Sequence, residues 1–362
     1  MPSPTPQPFQ ISIPSETLDW INTRISTSRL PTEFLQPPGK EHDYGVPRSV
    51  IDPILEHWKT SYDWRKVEAE INEKLRKFTV DLKSGGEEIR LHFVHHWSER
   101  EDAVPLLFCH GWPRSFLEVE PIINQLTTPS SPTTQAFHVI APSIPGFSFS
   151  SPPTKPGFDI MKIGHLYHQL MQDVLGKLAW LALRWMTAEE KKRLERLKWW
   201  FTEENGYFDM MGTKPLTISY SLSDSPLGHL AWIRDKLTHL VSPTFHWPAP
   251  TVITWTHLYL FSPHVATFSI YRESRLHIQD TLFDAGPISK SVAVGFSSFP
   301  WDMGYVPRWW AEGTVAERMA FWREHEEGRH FPSLECPEVL VADVRDFQEV
   351  VEEGRKEVKR QG

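Results

Sequence analysis

Cysteine is scarce: only Cys109 and Cys336 occur in 362 residues, far apart and in no CxxC pair. That argues against a disulfide framework and a thiolate metal site, and it fits a reducing, intracellular setting. Long apolar runs are lacking too. The longest, 178–186 and 251–261, fall well short of the roughly 18 residues that mark a membrane-spanning helix. The opening MPSPTPQPFQ has neither a charged n-region nor an apolar h-region, so a cytoplasmic protein without a membrane anchor is expected. Basic residues are scattered and the net charge is −8, which leaves no phosphate-tracking stripe, and nucleic acid is not an expected partner. No internal repeat and no long low-complexity tract is found.

What is present suits a soluble globular chain. Hydrophobic residues make up 40% and charged residues 23%, enough for a sizeable core in one large domain or two smaller ones. Tryptophan occurs 16 times; such rings fill cores and inter-domain space, and they also line ligand clefts. Proline-rich stretches at 1–8, 31–38, 130–132 and 142–156 mark surface connections, because proline removes a donor and fixes φ.

Apolar spacing predicts N-terminal helices over 15–29 and 49–62. The stretch FTVDLKSGGEEIRLHFVHH, 78–96, alternates apolar and polar residues on either side of a Gly-Gly turn and predicts a β-hairpin. AVPLLFCHG and AFHVIAPSIPGF are continuous apolar runs of the kind found in buried parallel strands, with a helix over 115–125 between them. Ligands bind where such strands end, which places 110–113 and 142–147 at the expected site. Helices are further expected over 160–175, over 187–201 with Thr187 as N-cap, over much of 227–268 as a lid, over 315–326 capped by Thr314, and over 339–357; 291–296 reads as a short strand.

His110-Gly111-Trp112-Pro113 follows a buried strand directly. Read alone, it is a strand-ending turn or an anion site. The HGxP pattern resembles the oxyanion-hole motif of the epoxide hydrolase family, in which the backbone N–H of the residue before proline, here Trp112, faces developing negative charge. Other stretches are similar to the microsomal-type branch of that family: TSYDWRKVEAEIN, PLLFCHGWPRSFLEVEPII, AFHVIAPSIPGFSFS, GTKPLTISYSLSDSPLGHLAWI, GFSSFPWD and GRHFPSLECPEVLVADVRDF. They run in the family's order and cover most of the chain. The resemblance implies an α/β-hydrolase fold with a mainly parallel sheet, an N-terminal helical extension (1–76), a core in two halves (77–186 and 291–362) and a helical lid (187–290).

By the same resemblance, His330 holds the place of the histidine that activates water, and Asp302 that of the acid orienting it. Tyr207 and Tyr271 match the two lid tyrosines that bind the epoxide oxygen and can protonate the alkoxide. Without the resemblance these four would read as loop and packing residues. No cofactor and no metal is implied; His325 and His330 form HExxxH, five apart, and miss the i, i+4 spacing zinc needs. His92, His95 and His96 alternate along the hairpin, which points to a sheet-surface role over a ligand cluster.

One departure stands out. Where the family continues with a strand, a GGDWG-like turn bearing the Asp nucleophile, a helix and another strand, Gly176 here is followed by KLAWLALRWMTAEEKKRLERL. A βαβ unit takes about 30 residues, so the nucleophile elbow and its central strands are expected to be missing. Neither Ser221, between Ser219 and Ser223, nor GFSSF at Gly295 makes a convincing replacement. Two readings follow: a weak hydrolase turning a small apolar epoxide, such as a biosynthetic or xenobiotic intermediate, into a vicinal diol, or an inactive member or incomplete gene product that at most binds ligand. Exposed sheet edges would then favour instability or a homodimer.

Overall fold

A computed structural model describes residues 4–171 and 199–361, apart from 34–35, 243, 263, 280–286, 301, 303–307, 309–310, 313–314 and 329. The expected break after Gly176 and nearly all of the helix expected over 187–201 therefore lie outside the described residues.

The chain opens with a short strand, β1 (Gln7–Phe9), and three helices, α1 (Ser15–Ser26), α2 (Arg48–Thr60) and α3 (Trp64–Lys74). Asp63 caps α3 by accepting from the Arg65 amide at 2.9 Å, satisfying a donor that the first turn leaves unpaired. The far end is closed by Lys77, whose ammonium donates to the carbonyls of Ile71 and Leu75 at 3.0 and 2.7 Å.

The hairpin forms where alternation and Gly-Gly predicted it, as β2 (Lys77–Ser84) and β3 (Glu87–His96). Ser84 pairs with Glu87, so Gly85 and Gly86 alone make the turn. Their φ values of 59° and 76° belong to the left-handed region that a two-residue hairpin turn demands and glycine adopts without penalty.

The sheet continues with β4 (Val104–Leu107) and β5 (Phe137–Pro142) in the order β1-β2-β3-β5-β4, with α4 (Glu120–Thr127) between them in the chain. β5 is buried along all six residues. Ile140 faces one core together with Leu91 and Phe93 of β3, while Val139 and Ala141 face a second with Leu117 and Ile122. A strand covered on both faces reads as a continuous apolar run, and each large side chain so buried contributes about 1.5–3 kcal/mol.

Helix α5 (Ile160–Gln169), capped by Asp159, packs on β2. Beyond it come α6 (Gly206–Thr213), α7 (Pro215–Asp224), α8 (Pro226–Thr238), α9 (Ala249–Leu260) and α10 (His264–Gln279), the helical region expected for a lid. The chain closes with β6 (Val294–Ser298), β7 (Met319–Glu324), a short α11 (Pro332–Glu335) and the long α12 (Pro337–Gln361).

Two sequence expectations need revision. Residues 315–326 are not a helix: Met319–Glu324 is strand β7, paired in parallel with β6. Ala, Glu and Arg give the segment helical propensity, but alternate Met319 and Phe321 are buried, and pairing with a remote strand overrides propensity. His92 and His95 are not on a sheet surface. Both are buried, and the His92 ring is closed over by the rings of Phe9, Phe116 and Phe149 at centroid distances of 5.2, 4.8 and 5.4 Å. Among the described residues, β4/β5 and β6/β7 pair in parallel, Ala316 adds parallel bridges to Ile288 and Glu312, and the ladders β1/β2, β2/β3 and β3/β5 are antiparallel. Among those residues too, β4 ends its sheet and β6–β7 is a separate ladder.

Candidate active site

Parallel neighbours end on the same side, so loops leaving their carboxyl ends meet. This places residues 110–113, after β4, beside 143–147, after β5. The Ile144 amide donates to His110 Nε2 at 3.3 Å, and His110 Nδ1 lies 3.0 Å from the Gly111 carbonyl. One nitrogen accepts and the other donates, so His110 is the neutral Nδ1–H tautomer. Burial pushes its pKa down to about 4. His110 thus braces the turn and takes no proton at neutral pH. Pro113 follows a cis peptide bond, and the Arg114 amide donates back to the Gly111 carbonyl at 3.1 Å. No hydrogen bond among the described residues uses the Trp112 amide.

The Trp112 indole is buried and gathers the two tyrosines. Tyr207, at the start of α6, stacks on it with centroids 5.1 Å apart and planes 12° from parallel. Tyr271, from α10, meets it edge-on at 6.0 Å. The phenol rings lie 6.1 Å from each other. An ion pair at 2.7 Å between Asp209 and Arg275 ties the two helices one turn away. Burial pushes the Tyr207 phenol up to about 12, with Glu204 adding to the effect. Burial, then Tyr207 and Tyr259, raise Tyr271 well above its ordinary value. Both phenols are therefore proton donors throughout the neutral and mildly alkaline range.

The same geometry builds the second cluster. Asp302 follows β6 and His330 follows β7, and the parallel pairing brings the two loops together: His330 Nδ1 lies 2.8 Å from Asp302 Oδ1. The carboxylate can only accept, so Nδ1 is the nitrogen that donates, and Nε2 faces away from that bond. Their side chains are 28% and 38% exposed, so water can reach the imidazole. His325, the other histidine of the HExxxH stretch, turns to a different carboxylate, Asp343, at 2.6 Å. Burial raises Asp343, but bonds from His325 and Arg323 outweigh it and hold the carboxyl below its ordinary value.

The two clusters touch. The guanidinium of Arg114 donates to the His330 carbonyl, lies 3.3 Å over the Phe331 ring and is ion-paired with Glu118. Sequence reasoning missed this connection. Its one signal was an Arg and a Glu at i, i+4 inside the otherwise apolar PRSFLEVEP. No nucleophile replacement emerges among the described residues: Ser221 is exposed on α7, and Ser297 lies within β6, away from any strand-to-helix turn.

Residues 6–119 match the family described as "Epoxide hydrolase N terminus". The solved epoxide hydrolase of Aspergillus niger superposes with a TM-score of 0.80 at 30% identity, covering 95% of this chain and 96% of that one. The juvenile hormone epoxide hydrolase of the silkworm Bombyx mori shares the fold, with a TM-score of 0.83 at 22% identity over 98% of this chain and 96% of that one. Epoxide hydrolase 1 of Sus scrofa is 24% identical over 96% of this chain and 89% of its own length. That alignment runs over 416 positions, more than the 362 residues here, so the relative carries residues with no counterpart in this chain.

Proposed function

The chain belongs to the epoxide hydrolase family and has the α/β-hydrolase fold, and from that premise we propose a division of its machinery into a part retained and a part lost. The retained part is the water-activating pair, His330 and Asp302, together with the two phenols, Tyr207 and Tyr271, and the Trp112 amide as a donor to developing negative charge. The observation that carries this reading is the 2.8 Å contact between His330 Nδ1 and Asp302, which leaves Nε2 free to take a proton from water.

In the reaction this allows, His330 Nε2 removes a proton from a water molecule as its oxygen attacks a ring carbon of a small apolar epoxide. The C–O bond breaks, the alkoxide takes a proton from Tyr207 or Tyr271, and the imidazolium returns its proton by way of solvent to the phenolate. One water is consumed and one vicinal diol released. The lost part is ester formation by an Asp nucleophile, for which the sequence after Gly176 has no room. Removing a covalent nucleophile costs several orders of magnitude, so slow turnover is expected. Residues 187–290 would serve as the lid, over a core made by 77–186 and 291–362.

A second reading, an inactive member that binds ligand without turning it over, or an incomplete gene product, is favoured by one observation: the relatives' alignments run past the length of this chain. Single turnover of an aromatic epoxide in oxygen-18 water separates the readings. Labelled diol supports direct attack by water, unlabelled diol reveals a carboxylate nucleophile, and no diol favours the inactive reading. Sequencing the transcript across codons 176–183 tests for a missing segment.

A further inference from the structure

Arg114 is 3% exposed, on a loop beside the site. A guanidinium there is costly to bury unless its donors are used. It bridges two segments far apart in sequence: Nη2 donates to the His330 carbonyl, while Nη1 stands beside Glu118 as an ion pair without a hydrogen bond. Its plane also covers Phe331, at 3.3 Å. Glu118 is itself buried and accepts from the Ser333 hydroxyl at 3.2 Å. From the lid side, the Tyr259 hydroxyl donates to the Arg114 carbonyl at 2.7 Å. The turn bearing Trp112 and the segment 330–333 are thus joined through one buried ion pair, with no backbone hydrogen bond between them among the described residues.

We propose that Arg114, with Glu118 as its buried counter-ion, is a positioning residue that holds the backbone at His330 and so aims the imidazole at Asp302 and at the water it activates. Arg suits this task where Lys does not, because only a planar fork can serve a carbonyl and a carboxylate at once while stacking on a ring. The inference rests on the reading of His330 as the base, and it is tested by a readout that does not require turnover.

The experiment compares wild type, Arg114→Lys, Arg114→Met and the double variant Arg114→Met with Glu118→Gln. All are labelled with 15N-histidine, and the His330 imidazole signals are assigned by their loss in His330→Gln. Arg114→Met leaves a buried carboxylate unpaired and should melt well below wild type, whereas the double variant removes both charges and should recover most of the melting temperature. If Arg114 positions the base, the recovered double variant still loses the Nδ1–H signature of the bond to Asp302. Its single-turnover rate on epoxide falls by about 10- to 100-fold with little change in KM. Arg114→Lys, which keeps the charge but not the fork, should broaden the same signal.

A double variant that regains both stability and the wild-type imidazole signal overturns the proposal. Should the double variant not fold, a wild-type signal in Arg114→Lys overturns it equally. Absence of epoxide turnover in the wild type would sink the catalytic reading, while the imidazole signal would still decide the role of Arg114.

Discussion

Gly328 lies two residues before His330, with φ at +91°. A Cβ built there would stand 2.6 Å from a Phe299 ring carbon and 2.8 Å from Cys336 Sγ. Gly328→Ala therefore meets two separate costs. A left-handed backbone penalises any L side chain by about 1–2 kcal/mol, and crowding a packed site adds about 1–3 kcal/mol. Phe299 is buried and stacked on His325 at 4.7 Å, so it has little room to retreat. A loss of about 3 kcal/mol is expected. With an unfolding entropy of about 2.1 cal/mol/K per residue, a chain of this length should melt about 4 °C lower.

Relief of the strain would move the segment carrying His330, so the imidazole bond to Asp302 should weaken along with stability. Gly295→Ala is the comparison. Its Cβ would collide with the buried Phe347 ring, which overpacks the contact between β6 and α12 without touching the His330 loop. Thermal melts and the His330 imidazole signals are to be read together. Both variants should lose stability, but only Gly328→Ala should disturb the imidazole. An unchanged melt for Gly328→Ala, or an equal imidazole disturbance in both, would refute the reasoning.

His92, His110 and His257 are buried, and burial lowers their values to about 3, 4 and 4 from 6.5. The unfolded chain binds protons that the folded chain refuses, so stability is present above pH 6.5 and falls as pH drops below it, by about 1.4 kcal/mol per pH unit for each histidine until its folded value is reached. Urea midpoints that stay flat from pH 7 to pH 5 would contradict this. His330→Ala and Asp302→Asn should each lower single-turnover diol formation by about 100-fold or more with melting little changed, since both side chains are partly exposed. Equal turnover in the variants would remove the pair from the mechanism. Tyr207→Phe and Tyr271→Phe should each slow ring opening by about 10-fold or more, and the double variant should abolish it. Because burial raises both phenols, Tyr207 to about 12, no alkaline loss from phenol ionisation should appear below pH 10, which a pH series of initial rates checks.

Local sequence was sufficient wherever the structure is made by neighbours in the chain. Gly85-Gly86 specified its own hairpin turn, and the unbroken apolar run of β5 its burial on both faces. Resemblance picked out His330, Asp302, Tyr207 and Tyr271, because motif residues keep their order along the chain. What the sequence could not disclose depends on distant partners. Met319–Glu324 became a strand because β6 lay beside it, and His92 was buried because the side chains of Phe9 and Phe116 closed over it. The four candidate residues were gathered into two pairs, His330 with Asp302 by parallel pairing and Tyr207 with Tyr271 by helices α6 and α10. Arg114 shows the difference most clearly. Next to Pro113 it reads as an ordinary polar loop residue, and only packing against Phe331, 217 positions along the chain by residue number, turns its charge into a cross-link. Propensity and pattern act over a few residues, whereas the cost of burying a charge is decided by whatever the fold brings to it.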